Sequence, residues 1–169
     1  MSPRTVPFAL LVLTLAAGCG EEFSPGEARF GVDLLVDKAV AADLSAFQLA
    51  VLPNGKERNC TEIQKQCLSL QVKANELLIL RDGQGTQGRV LRFPVNLTGS
   101  GVTSQDVAIE VPVGRDYALV IEGLSQDNPP RLLGSSCNYL PEVNASRNDP
   151  ILAAPMTLLS VDCNPTIGG

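Results

Sequence analysis

"VAIEVPVGRDYALVIEG", Val107 to Gly123, decides how the rest of this chain is read. Val107, Ile109 and Val111 alternate with Ala108 and Glu110, and after a break Tyr117, Leu119 and Ile121 resume the alternation. A period of two marks strands with one face on a core, because successive side chains leave a strand on opposite sides. The break holds Pro112, which has no N–H for a ladder, and Gly114, which accepts a positive φ. Tyr117 then packs as the return strand starts. On this reading Glu110 and Glu122 fall on the polar faces of neighbouring strands, as solvated surface charges.

The same pattern extends outward in both directions. "RFGVDLLVD" places Phe30, Val32, Leu34 and Val36 on one face, and "FQLAV" places Phe47, Leu49 and Val51 before the turn Pro53-Asn54-Gly55. Leu68, Leu70 and Val72 alternate with polar residues, "ELLILRD" is a compact apolar run, and "RVLRFPV" offers an edge strand because it contains Pro94. Thr157, Leu159, Val161 and Cys163 close the series. The expected fold is all-β, a single antiparallel sandwich of about seven or eight strands. Only "DKAVAADLSAF" and "TEIQKQC" approach helical periodicity, each with room for one turn. The stretch from Asp127 to Pro150 reads as a long connection around a short strand at Arg131–Cys137. Tyr139 and Leu140 within it are the candidate partner-contact residues.

The amino terminus has another character. Arg4 precedes an apolar run from Pro7 to Leu15, followed by the small residues Ala16, Ala17 and Gly18 and then Cys19. That is the layout of a secretory signal, and the run is too short to cross a bilayer, which takes roughly 20 apolar residues. Leu15-Ala16-Ala17-Gly18-Cys19 resembles the bacterial lipobox. The resemblance implies cleavage between Gly18 and Cys19, with Cys19 acylated as a membrane anchor. Gly20, where an inner-membrane retention signal places Asp, implies the outer membrane. The expected organisation is therefore a signal at 1–18, an acylated cysteine and tether at 19–28, and a β-sandwich at 29–169.

With Cys19 occupied by lipid, Cys60, Cys67, Cys137 and Cys163 remain, an even set that suits two disulfides in an oxidising compartment. Of the three pairings, Cys60–Cys67 with Cys137–Cys163 is the expected one, since the first closes a short polar excursion and the second ties a late segment to the last strand. Zinc is disfavoured because there is no Cys-x-x-Cys and the chain contains no histidine.

Val107 to Gly123 also resembles the strand–Pro–Gly–Tyr–strand unit of transthyretin-like and carboxypeptidase-regulatory-like sandwiches, within the wider immunoglobulin-like architecture. Asp116 adds one residue to the compact Gly-x-Tyr form. The resemblance covers about a tenth of the chain and speaks to fold class. In architecture the whole chain resembles the short envelope lipoproteins of Gram-negative bacteria.

The absence of histidine excludes Ser-His-Asp and Cys-His catalysis. No serine has lysine three residues on, and Gly134-Ser135-Ser136-Cys137 is not Gly-x-Ser-x-Gly. "RDGQGTQG", Arg81 to Gly88, has too few oxygen ligands for calcium and lacks Gly-Lys-Ser/Thr for phosphate, so it reads as a hairpin loop. A formal net charge of −5 disfavours nucleic acid as a partner. The resulting expectation is a non-enzymatic, lipid-anchored envelope protein that binds or scaffolds, with no cofactor or metal, attached to the membrane through Cys19 and open to an envelope protein partner. The competing expectations are a small-ligand carrier, a carboxylate hydrolase with a pocket near Asp82 or Glu122, and an accessory subunit of an envelope complex.

Overall fold

The strands on either side of Pro112 form, but they do not pair with each other. In the computed structural model, which describes residues 27–36, 41–96, 103–145, 148, 151–153, 156–159 and 161–167, β6 (Thr103–Pro112) and β7 (Gly114–Ser125) lie in different sheets. The first sheet has the order β4 (Gln87–Gly88), β3 (Leu80–Asp82), β6, β1 (Glu27–Val36), β9 (Ile151–Leu152). The second has the order β10 (Thr157–Leu158), β8 (Leu132–Val143), β7, β2 (Leu44–Pro53), β5 (Val90–Pro94). All pairings are antiparallel except β1 with β9. The protein is thus an all-β sandwich. The ten strands among the described residues exceed the expected number because β3, β4, β9 and β10 span only two or three residues each. The residues expected to form the lipobox and most of the expected tether lie outside the described residues, and β1 already includes Glu27 and Ala28.

The alternating residues form the core between the sheets. Val32, Leu34 and Val36 of β1 and Val107, Ile109 and Val111 of β6 meet Phe47, Leu49 and Val51 of β2 and Leu119 and Ile121 of β7. β5 lies at an edge, as Pro94 requires, with Leu91 buried in this core.

The turn at Pro112 carries the chain from one sheet to the other. The residue with positive φ is Asp116, at 63°, rather than Gly114. The Tyr117 hydroxyl lies against Gly114, 2.1 Å from where a Cβ would stand, so a larger residue there would displace the tyrosine ring. Asp116 clips this turn to the one after β2. Its carbonyl accepts from Gly55 N at 2.7 Å, and its carboxylate accepts from Lys56 N at 2.8 Å. A Cβ on Gly55 would stand 2.4 Å from the Tyr117 carbonyl oxygen, a backbone atom that cannot rotate away. Gly55→Ala is accordingly expected to destabilise the fold by about 1–3 kcal/mol in urea denaturation.

The second sheet is covered on its outer face as well. Between β2 and β3 the chain folds into a cap that contains α1 (Cys60–Ile63) and two 3-10 turns, Leu68–Leu70 and Ala74–Glu76. Asn59 caps α1 by accepting from Thr61 N and Glu62 N. The single helical turn expected in "TEIQKQC" is present, whereas the strands expected at Leu68–Val72 and along "ELLILRD" are replaced by the cap. Leu68 and Val72 turn inward while Leu70 is 65% exposed, and only Leu80–Asp82 of the second run is strand. Gln71 Nε2 donates to the carbonyls of Ile63 and Gln66, so this backbone is satisfied locally without a ladder partner. Ile63, Leu68, Val72 and Leu77 pack on Ala50, Leu52, Ala118 and Val120, forming a second apolar cluster.

Two disulfides fasten the cap. The bonds are Cys60–Cys137 and Cys67–Cys163, with Cα separations of 5.3 and 6.1 Å. All four cysteines expected to pair do so, but the expected partners, Cys60 with Cys67 and Cys137 with Cys163, are wrong. The short excursion is not closed on itself. It is bonded down to β8 and to the C-terminal segment.

Candidate functional site

The outer face of the second sheet carries one polar row at a single register. Arg92 on β5 is opposite Gln48 on β2, Gln48 opposite Glu122 on β7, Glu122 opposite Ser135 on β8, and Ser135 opposite Thr157 on β10. Its two ends are exposed, and its middle lies under the cap. Gln48, Glu122 and Ser135 are each no more than 1% exposed. The expectation that Glu122 is a solvated surface charge is therefore wrong. Its strand face points to the cap, because the second sheet has no free face over β7.

Hydrogen bonds tie the row together. Leu68 N donates to one Glu122 carboxylate oxygen at 2.7 Å, and Gln48 Nε2 donates to the other at 2.8 Å. Gln48 Nε2 also donates to the Pro165 carbonyl at 2.9 Å, and Gln48 Oε1 accepts from Arg92 Nε at 2.9 Å. Arg92 reaches Thr166 Oγ1 at 3.4 Å, and Ser69 Oγ donates to the Asn164 carbonyl at 2.7 Å. Strand and cap thus meet at one carboxyl group, and the C-terminal segment joins them through Gln48, Arg92 and Ser69. Burial pushes Glu122 up to about 7, against the opposing pull of the Leu68 and Gln48 donors and of Arg92. Ser135 Oγ is buried and has no hydrogen-bond partner among the described residues.

The other sequence candidates are dispersed. Glu110 lies on β6 in the opposite sheet, 4.0 Å from Arg81 Nε, so Glu110 and Glu122 are not neighbours. Asp82 is turned into its own hairpin, where one carboxylate oxygen accepts from Gln84 N at 2.8 Å and Thr86 N at 2.7 Å. Asp82 does border a groove of about 440 Å3 shared with Gln48, Arg92, Thr166 and Ile167, at the open end of the polar row. The long connection expected around Tyr139 and Leu140 is instead the twelve-residue strand β8. Tyr139 is exposed, but Leu140 is 7% exposed and belongs to the core, which removes it as a contact residue. Among the described residues no three or more His, Cys, Asp or Glu converge as metal ligands.

The polar row was legible in part. "QLAVL" and "YALVIEGL" are apolar on both alternating sets, with Ala50, Leu52, Ala118 and Val120 standing where a solvated strand would place charges. That continuity is the signal of a strand buried on both faces, and it puts Gln48 and Glu122 in an interior. Comparison with protein-family models, with curated proteins and with solved structures returns no match. Fold and row together describe a two-sheet β protein with a disulfide-fastened cap.

Proposed function

We propose that the chain is a lipid-anchored protein of the bacterial envelope, held by acylated Cys19 and acting through binding or scaffolding rather than catalysis. The observation that carries the non-catalytic reading is the state of Glu122. One carboxylate oxygen of this buried acid accepts from Leu68 N of the cap and the other from Gln48 of β2, which leaves neither directed at a substrate. Two disulfides that brace the folded domain agree with an oxidising compartment. They support the same address as the lipobox resemblance at Leu15–Cys19. The partner surface in this reading is centred on Tyr139, 41% exposed on β8, an aromatic of the kind enriched at interfaces.

One experiment addresses the anchor and the partner together. Cells expressing the wild-type chain, Cys19→Ser and Tyr139→Ala are cross-linked and fractionated. The wild type is expected in the detergent-extracted membrane fraction with a cross-linked partner. Cys19→Ser is expected to move to the soluble fraction, and Tyr139→Ala to stay in the membrane and lose the cross-link. Equal fractionation of wild type and Cys19→Ser would overturn the anchor, and an unchanged cross-link in Tyr139→Ala would overturn the contact surface.

A further inference from the structure

We propose that the free edge of β5 is a docking site for an extended segment of a partner protein. The segment adds to the second sheet as a strand and places a Lys or Arg beside Asp106. β5 and Tyr139 lie toward opposite edges of that sheet, so the inference depends on neither the anchor nor the Tyr139 surface.

β5 pairs with β2 on one side, and among the described residues no strand pairs with it on the other. Two bonds near its end fix the direction of its backbone groups. Val95 N donates to the Ser45 carbonyl at 3.0 Å, on the β2 side. The Pro94 carbonyl accepts from Gln105 Nε2 at 2.9 Å, on the free side. Backbone groups alternate along an antiparallel strand, so Val90 and Arg92 direct their N–H and C=O outward, as Pro94 directs its carbonyl. Such an edge is a template for another chain. Gln105 already imitates one. Its Nε2 donates to Pro94 and its Oε1 accepts from Asn96 N at 2.8 Å, the two bonds that a peptide group of a neighbouring strand would make. That side chain covers the edge at Pro94 and Asn96 and stops short of Arg92.

The space beside this edge suits alternating side chains. Two grooves of about 370 and 440 Å3 flank it, both bordered by Arg92 and by Asp82 of the hairpin. The smaller lies toward the first sheet, against Phe93, Pro94 and Asp106, and the larger toward the outer face, against Gln48, Thr166 and Ile167. Successive side chains of an added strand leave on opposite faces, one into each groove. The smaller groove also sets the charge. Its lining has the carboxylates of Asp82 and Asp106 against the one guanidinium of Arg92, which is engaged with Gln48 and Thr166. Asp106 is directly opposite Asp33 on β1, and its hydrogen bond and charge hold the Asp33 carboxyl above the usual range. A cation beside this pair relieves the repulsion, while Phe93 and Pro94 receive the apolar stem of a Lys or Arg. The Thr166 hydroxyl and the Ile167 side chain of the larger groove suit Thr, which has a hydroxyl and a methyl of its own.

The test titrates the full chain in detergent micelles with a short capped peptide of alternating Thr and Val around one central Lys. Amide chemical shifts report binding, and hydrogen exchange of the Val90 and Arg92 amides reports pairing. Exchange at Arg92 is expected to slow by about tenfold or more with the peptide bound. The same peptide with Glu for Lys is expected to bind about fivefold more weakly, and Asp106→Asn to remove most of that difference. Arg92→Pro lacks the N–H at an edge position that accommodates proline and is expected to lose binding, whereas Arg92→Ala keeps it. Exchange at Arg92 that the peptide leaves unchanged, or equal binding by Arg92→Pro and Arg92→Ala, would overturn strand addition. Equal affinity of the Lys and Glu peptides would overturn the cationic side chain. Slowing at Arg92 that follows protein concentration without peptide would overturn the partner segment in favour of a second copy of the chain. The exchange measurement uses the wild type alone, so it stands even if Arg92→Pro does not fold.

Discussion

Replacing Cys67 and Cys163 together by alanine is expected to lower stability by about 4–5 kcal/mol and the melting temperature by about 10 °C or more. The bond closes a span of 96 residues, and in the chain-entropy account the stabilisation grows with the logarithm of that span. The Cys60–Cys137 bond spans 77 residues and is expected to contribute nearly as much when removed alone. The two spans overlap between Cys67 and Cys137. Removing both pairs should therefore cost less than the sum of the separate losses, since either bond already restricts most of the same unfolded chain. Cys67 is fully buried beside Leu132, and Leu68 immediately after it gives its amide to Glu122. Loss of the bond should therefore also loosen the polar row. Urea denaturation of the full chain checks the magnitude. Peptide mapping without reduction checks the connectivity, because it should recover the Cys67 peptide joined to the Cys163 peptide. Had Cys60 paired with Cys67, the closed loop would contribute only about 2–3 kcal/mol.

The second large effect is the dependence of stability on pH. Glu122 has an ordinary value of 4.5 and is raised by burial to about 7 in the folded protein. Between these values the folded chain holds a proton that the unfolded chain has released. Stability from this group is therefore complete below about pH 4.5, falls as pH rises, and levels off above about 7. A shift of this size corresponds to about 3 kcal/mol, or roughly 10 °C in melting temperature. Asp82 has the opposite sign. Burial opposes the shift, but the Thr86 and Gln84 amides hold its carboxyl below the usual range. Its contribution is present above its ordinary value of 3.8 and is lost as pH falls further. Stability from these two groups is thus expected to peak at about pH 4. Thermal melts of the wild type at pH 5 and pH 8 should differ by about the stated amount, and those of Glu122→Gln should nearly coincide. Wild-type melts that rise from pH 5 to pH 8 would show that Glu122 folds as a charge.

The strands of the sandwich core were readable because the pattern that builds them is local. Phe47, Leu49, Val51, Leu119 and Ile121 needed only a period of two to be assigned to one face, and all five are buried there. Leu68, Leu70 and Val72 have the same alternation and do not form a strand. They lie in the connection from β2 to β3, where Gln71 closes hydrogen bonds within the cap. A three-residue alternation fits a 3-10 turn with one residue facing out as well as it fits a strand.

What the sequence by itself determined is the all-β class, the edge position of β5, the turn after β2 and the even set of four cysteines beyond Cys19. Each follows from residue type and near-neighbour spacing. Only the tertiary structure decided which cysteines bond, because four cysteines allow three pairings and the choice depends on which segments the fold brings within about 6 Å. It also decided the environment of Glu122. A strand's pattern says which residues share a face, whereas what covers that face is a segment arriving from elsewhere in the chain. Here the cap from residues 54–79 and the segment after Cys163 close over the second sheet, and their arrival turns an apparent surface acid into a buried one.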